Sequence, residues 1–251
     1  MVPEKDFHDL RVERFLDPQT GAPALHILWK DVLVSSVLLG GKAAEQISGL
    51  TLIQKDLTNA RRWMGRASGL VAEAAARAPE SASYVHATDR DVFDEAKAFF
   101  VAALTFYAKA YTEAAGRKAQ MQRDWLDEPF RARHDYFMDF RHNFAAHSGD
   151  MRLEFAESFL LLIPESGNRT VLRLFTSRVQ PDVVMDREQE GDFARLIEHA
   201  IAKVTRRYDD AGRRLMEAAV SRPLAFWAAA GQGSEPVDMD AAIAVRRKRR
   251  R

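Results

Sequence analysis

The sequence predicts a mainly α-helical fold, a helical bundle of long up-and-down helices with one inserted β-hairpin. Apolar residues recur every three or four positions through several long stretches, as on the buried face of a helix. That period gives way once, to two β-prone runs joined by turn residues. With 251 residues, 47% of them hydrophobic, the chain has ample material for a packed core.

Residues 1–44 are expected to form an N-terminal segment packed on the bundle. Its most apolar stretch, 24–39 (ALHILWKDVLVSSVLL), is interrupted by Lys30 and Asp31 and falls short of the roughly 20 residues of a membrane span. It suits a buried helix or a buried strand, and its β-branched residues leave both open. The bundle is expected over 45–230. Its first helix carries Leu50, Ile53, Leu57, Ala60, Met64, Ala67 and Val71 on one face. An alanine-rich polar run around Pro79 ends it, and Thr88 or Asp89 can N-cap the next helix. The second stripe is Val92, Ala96, Phe99, Phe100, Ala103, Leu104, Tyr107 and Tyr111, with Lys109 and Glu113 off that face.

Asp127, Glu128 and Pro129 start a third helix, since acids favour the positive end of the dipole and proline is tolerated in the first turn. Phe130, Phe137, Phe140 and Phe144 give it an apolar side. Ser148-Gly149-Asp150 ends it, because glycine readily takes the left-handed conformation after a helix. The β-hairpin is expected near 155–178, around the turn-forming Glu165-Ser166-Gly167-Asn168. Phe193, Leu196, Ile197, Ala200, Ile201, Val204, Tyr208 and Leu215 restore the helical period and carry it to about Pro223. Residues 231–251 are expected to be a flexible linker, GQGSEP, and a basic tail.

The chain has no cysteine, which excludes disulfides, thiolate nucleophiles and cysteine-ligated zinc or iron–sulfur clusters. A cytoplasmic location is the resulting expectation, since the N-terminal residues are charged throughout and lack the pattern of an export signal. The net charge of +1 hides an asymmetry: Arg246, Arg247, Lys248, Arg249, Arg250 and Arg251 leave a body with 31 basic against 36 acidic residues. That tail attracts any polyanion, and RNA binding is one use of it; a solubilising end without a partner is the other reading. Trp63, Trp125 and Trp227 can stack on bases, but on helices such residues more often serve the core or an interface.

The phosphate loop GxxxxGK, GxGxxG after a strand, HExxH, GxSxG and paired-cysteine metal sites are all missing. No metal and no cofactor are expected. What stands out is residues 134–150, where ionisable residues crowd a helix end and three of the seven histidines lie. Arg141 and His147 are six positions apart, a spacing that 37 Lys+Arg and 7 His also produce by chance. In the bland reading, His147 gains from the helix dipole, Arg141 pairs with Asp139 or Asp135, and His134 is a surface or core histidine.

The residue types nevertheless fit one chemistry. RNA carries its own nucleophile, the 2′-hydroxyl beside the scissile phosphate, so a protein need supply only proton transfer and neutralisation of phosphorane charge. An imidazole titrates near neutral pH and a forked guanidinium matches a phosphate. On an ideal helix, six residues separate two Cα atoms by about 9 Å along the axis and about 120° around it, so a second subunit is expected to complete the cleft.

The segment resembles the R-x4-6-H motif of the HEPN superfamily, all-helical domains in which the motif closes a bundle helix and a polar residue, often asparagine, follows the arginine. Arg141 and His147 fall on the motif positions. His142 falls on the polar position, and asparagine comes one place later, at Asn143. The motif spans about 20 residues, and the helix order extends the likeness to roughly 45–220. The resemblance implies a metal-independent endoribonuclease of toxin or phage-defence type, acting as a homodimer whose two motifs form one composite site. Its products would be a 2′,3′-cyclic phosphate and a 5′-hydroxyl. Arg141 would hold the phosphate and His147 would move protons, with His142 a second acid or base and Asn143 a hydrogen-bonding helper; a cognate antitoxin or other partner protein is implied as well. The competing expectation is a non-catalytic HEPN-like module that binds a protein partner, nucleotide or RNA. A third, a ligand sensor, would use the aromatic stripe from Phe93 to Tyr111 as a pocket, although such spacing suits plain core better.

Overall fold

A computed structural model of the chain describes residues 9–18, 21, 23–77, 90–114, 116–142, 155–165, 169–179, 187–233, 235–241 and 243–244. The protein is mainly helical, with small β-sheets. In chain order the elements are β1 (Leu10–Leu16), β2 (Pro23–Trp29), β3 (Val32–Leu33), β4 (Leu39–Gly40), α1 (Lys42–Arg77), α2 (Arg90–Ala110), a 3-10 turn at Arg123–Trp125, and α3 (Glu128–Phe140). They continue with β5 (Phe155–Glu165), β6 (Arg169–Val179), α4 (Arg187–Val220), α5 (Leu224–Ala230) and β7 (Val237–Asp238). Among the described residues no helix is long and apolar enough to cross a membrane.

Two compact units divide the chain. The first draws on the described residues of Met1–Thr51, Ala114–Ala119 and Thr205–Arg251; the second draws on those of Leu52–Glu113 and Gln120–Val204. In the second unit the stripes read from the sequence are the core: Ile53, Leu57, Ala60, Met64 and Ala67 of α1 are buried, as are Ala96, Phe100, Ala103, Leu104 and Tyr107 of α2. Phe193, Leu196, Ile197, Ala200 and Val204 of α4 complete it. Aromatic edges meet across helices, with Phe193 at 4.4 Å from Phe137, 5.5 Å from Tyr107 and 5.8 Å from Phe100. One acid interrupts the apolar face of α1. Asp56 is 0% exposed, and the Lys109 ammonium lies 3.5 Å from its carboxylate while also capping the Phe106 ring at 5.0 Å.

In the first unit, Ala44, Leu215, Ala218 and Met239 form a buried cluster, with Ile47, Trp227 and Val237 packed against it. One expectation is corrected there. Residues 237–240 were placed beyond the linker with the basic tail, yet β7 pairs in parallel with β4, Leu39 to Val237 and Gly40 to Asp238, and Met239 is fully buried. A two-residue strand has no period to read, and a single methionine between two aspartates gives no stripe. The short α5, opened by Pro223, was not anticipated either.

The Asp240 carboxylate accepts the backbone N–H groups of Lys42 (2.7 Å) and Ala43 (3.0 Å), capping α1 from 198 residues away along the chain. Gly41, at φ 89°, lets the chain turn into this cap, and a Cβ there would meet Asp238 Oδ1 at 2.6 Å. Asp240→Ala is expected to cost about 1 kcal/mol, the usual worth of an N-cap, with Asp240→Asn retaining part of it. A lowered urea midpoint for the alanine variant and a smaller shift for asparagine would check this; equal shifts would refute it.

Within the stretch 24–39, residues 24–29, 32–33 and 39 are strand and none is helix. Lys30 and Asp31, both at positive φ (48° and 61°), form a two-residue turn between Trp29 and Val32. The charges that broke the apolar run are thus the hairpin tip. β1, β2 and β3 form an antiparallel three-stranded sheet, in place of the buried segment expected. Alternation puts Val12, Leu16, Leu25 and Trp29 on one face and Arg11, Glu13 and His26 on the other, and all seven are exposed. Among the described residues there are therefore three sheets where one hairpin was expected.

That hairpin is present where it was expected. β5 and β6 pair antiparallel over eleven residues each, from Phe155↔Val179 to Glu165↔Arg169. Its apolar residues remain uncovered: Phe159, Leu160, Leu161, Leu162, Ile163, Leu172, Leu174 and Phe175 are all exposed. Burying each such side chain is worth about 1.5–3 kcal/mol, and a lone two-stranded ribbon is marginal in water.

Candidate functional site

The site read from the sequence begins at the C-terminal end of α3. That helix starts as expected, with Asp127 as N-cap and Pro129 in the first turn. Asp127 makes no side-chain cap; its carboxylate instead receives the Lys203 ammonium at 2.5 Å, which lowers its pKa. His199 stacks on Phe130 at 4.0 Å and accepts the Asp127 backbone N–H at Nε2 (3.1 Å). The start of α3 is thereby fixed to α4.

Along α3, Phe137 is buried against Phe193, Phe130 and Phe140 are half-buried, and Phe144 lies outside the described residues. His134 is a core residue, 6% exposed. Its Nδ1 and the Tyr107 hydroxyl share a hydrogen bond of 2.9 Å, while Tyr107 donates to the Tyr111 hydroxyl at 3.2 Å. Which of His134 and Tyr107 donates depends on the imidazole tautomer, and either way the Nδ1 of His134 is occupied. Burial pushes the pKa of His134 down and those of both tyrosines up. His134 is thus committed to holding α2 against α3.

Burial depresses the pKa of both His134 and His199 below the ordinary 6.5. Below that value the unfolded chain binds protons that the folded one refuses, so the stability these residues contribute is full above it and lost as pH falls through it. Urea midpoints are expected to drop on acidification in this range, less steeply in His134→Phe. Identical profiles for the two proteins would remove His134 from the account.

Arg141 follows directly. It is half-buried, keeps helical dihedrals, and sends its backbone N–H to the carbonyls of Met138 and Phe137. At Arg141 and His142 the helix widens into a π-type turn, and His142 is exposed. Asp135, considered as a partner for Arg141, is taken by Arg123, whose Nε and Nη2 donate to its two oxygens at 2.7 and 2.5 Å. That fork lowers the Asp135 pKa. Asn143 and His147 lie outside the described residues, as do Arg246, Arg247, Lys248, Arg249, Arg250 and Arg251. Of the four residues assigned to catalysis, the described part places only the neighbours Arg141 and His142.

Beside α3, Ala132, Arg133, Tyr136, Phe137 and Asp192 line an open groove of about 290 Å³. Arg133 reaches Asp192 at 3.2 Å, Arg195 bonds the same carboxylate, and the Tyr136 ring is exposed. This groove was not anticipated. Its only sequence signal was Tyr136 itself, an aromatic residue off the phenylalanine face. The Tyr107–His134 bond had a clearer signal: two hydroxyl-bearing rings four residues apart on an apolar stripe need partners when buried. Among the described residues, no three His, Asp or Glu side chains converge as they would around a metal ion. No known protein family, no curated protein and no solved structure matches this chain.

Proposed function

We propose that the chain is a HEPN-type, metal-independent endoribonuclease that cuts RNA at a site completed by a second copy. The observation that carries this reading is the end of α3. The helix widens at Arg141 and His142, inside the motif-like segment, one turn after Phe137 is locked into the aromatic core. A guanidinium on so fixed a base is suited to receive a phosphate, because little ordering is left for the moment of reaction.

In the reaction a base accepts the 2′-hydroxyl proton as that oxygen attacks the adjacent phosphorus. Arg141 neutralises the equatorial oxygens, and an acid returns a proton to the departing 5′-oxygen. The bonds formed and broken leave a 2′,3′-cyclic phosphate and a 5′-hydroxyl. His147, one from each copy, serves as base and acid. His142, exposed beside Arg141, stands as a second candidate for proton transfer, and Asn143 supports by hydrogen bonding. His134 takes no part, since it is buried and its Nδ1 is hydrogen-bonded to the Tyr107 hydroxyl. RNA leaving the cleft along α3 would meet Tyr136, whose ring offers a base a stacking surface.

The test uses end-labelled RNA in excess EDTA with the wild type and His147→Ala. Cleavage by the wild type, products ending in cyclic phosphate, and a loss of about 10²–10⁴-fold in the variant are the expected outcome. Intact RNA with the wild type, or equal cutting by both proteins, overturns the reading. A second reading, a non-catalytic module that binds a partner, draws support from the uncovered apolar strands of β5 and β6, and it predicts RNA left intact by the wild type.

A further inference from the structure

We infer that the groove beside α3 is a guanine site, in which the Arg133–Asp192 pair reads one unpaired guanine of an RNA strand while Tyr136 stacks on the base. The Asp192 carboxylate carries the argument. Arg133 Nε lies 3.2 Å from its Oδ2 and Arg195 bonds its Oδ1, so each oxygen keeps a lone pair for a further donor. Arg133 uses Nε in that contact, which leaves the Nη–H donors of its fork for a second partner. As a stabilising contact so exposed a pair is worth little, since 38% of the Arg133 side chain and 23% of the Asp192 side chain are open to solvent. Lining a groove with the exposed Tyr136 ring, the same pair is a recognition edge.

The order of donors and acceptors selects the base. A guanidinium beside a carboxylate offers one donor followed by two acceptors. Guanine presents the complement on its Watson–Crick edge, O6 followed by N1–H and N2–H, and single-stranded RNA leaves that edge open to side chains. In the same register uracil and cytosine each set an acceptor against a carboxylate oxygen, and adenine makes two of the three bonds at most.

Packing holds the reading pair in place. Phe137 lines the groove and meets Phe193, the fully buried neighbour of Asp192, at 4.4 Å, so α3 and α4 bring the two charged side chains together on fixed backbones. A volume of about 290 Å³ lies at the small end of ligand sites and suits a single base. Beyond Arg133 and Phe137 the same side of α3 continues to Arg141, whose backbone N–H bonds the Phe137 carbonyl and which lies about 6 Å further along the axis. The phosphate assigned to Arg141 and the base in the groove are thereby neighbours on one strand. In that last respect the inference rests on the proposed function; the pairing of guanine with Arg133 and Asp192 does not.

The test uses 2′-O-methyl pentanucleotides, which lack the attacking hydroxyl, so that binding to the full chain is read without cleavage. By fluorescence anisotropy UUGUU should bind about tenfold or more tightly than the strands with A, C or U at the centre, as for a good bidentate base contact. The strand with inosine, which lacks the 2-amino group, should fall between. Asp192→Asn should erase the preference for guanine, and Tyr136→Ala should weaken all strands by a similar factor of about ten. Equal affinity for the four bases, inosine bound as tightly as guanine, or a preference that survives Asp192→Asn overturns the inference. The inosine comparison needs only the wild type, and decides the matter should the asparagine variant fail to fold. GMP bound as tightly as UUGUU would overturn the strand in favour of a free nucleotide. Two further results separate the site from the proposed function. Guanine preference on these strands with natural RNA left intact upholds the site and sinks the ribonuclease. Natural RNA cut by a protein without guanine preference sinks the site and leaves the ribonuclease standing.

Discussion

Phe193→Ala is expected to destabilise the second unit by about 3–5 kcal/mol, the usual cost of removing a phenylalanine from a packed core. Phe193 is fully buried and its ring meets those of Phe100, Tyr107 and Phe137, so the vacated space borders three helices and cannot be filled by one rotamer change. Against a total stability of about 5–15 kcal/mol, such a loss leaves a marginal protein. Phe193→Leu retains most of the volume and should cost well under half as much. Urea unfolding followed by circular dichroism measures both; an alanine variant within about 1 kcal/mol of wild type would show that the ring is not central to this core.

Arg141→Ala is expected to reduce RNA cleavage by about 10²–10⁴-fold with little change in the urea midpoint, as for an interaction made chiefly in the transition state. The reasoning is local. Arg141 is half-buried at a helix end, its backbone is held by bonds to Met138 and Phe137, and Asp135 is already bound to Arg123. Arg141→Lys keeps the charge but loses the planar fork, and should recover only part of the rate. Kinetics on a single defined RNA decide the matter. A lysine variant as fast as wild type would reduce the role of Arg141 to general attraction, and an alanine variant that unfolds would assign it to the fold.

Long periodic segments were legible from the sequence because burial imposes the period. Ile53, Leu57, Ala60 and Met64 are core because a helix face has no alternative, and the α3 start at Asp127 and Pro129 follows from rules local to one turn. The β5–β6 pairing was legible for the same reason, since its turn residues lie between two runs that can only fold back. What escaped depends on residues distant in sequence. Nothing near Lys42 announces that Asp240 will cap it, and nothing near His134 names Tyr107 as its partner. Exposure was misread at 24–39, where apolar content suggested burial; alternation in a strand spreads the same residues over two faces, and Leu25, Val32, Leu33 and Leu38 are open to solvent. Of the candidate site, the sequence singled out Arg141 and His142 by residue type, but the widened turn that presents them depends on packing and left no trace in spacing.

The pairing of β4 with β7 bears on how the molecule is made. During synthesis the start of α1 leaves the ribosome long before Asp240 exists, so its first amides stay solvated while the later helices emerge. The second unit, whose residues end at Val204, has all its pieces before the first unit has its last. Assembly should therefore run from the middle of the chain outward, and closing the first unit, a loop of nearly two hundred residues, should be the slow event in refolding.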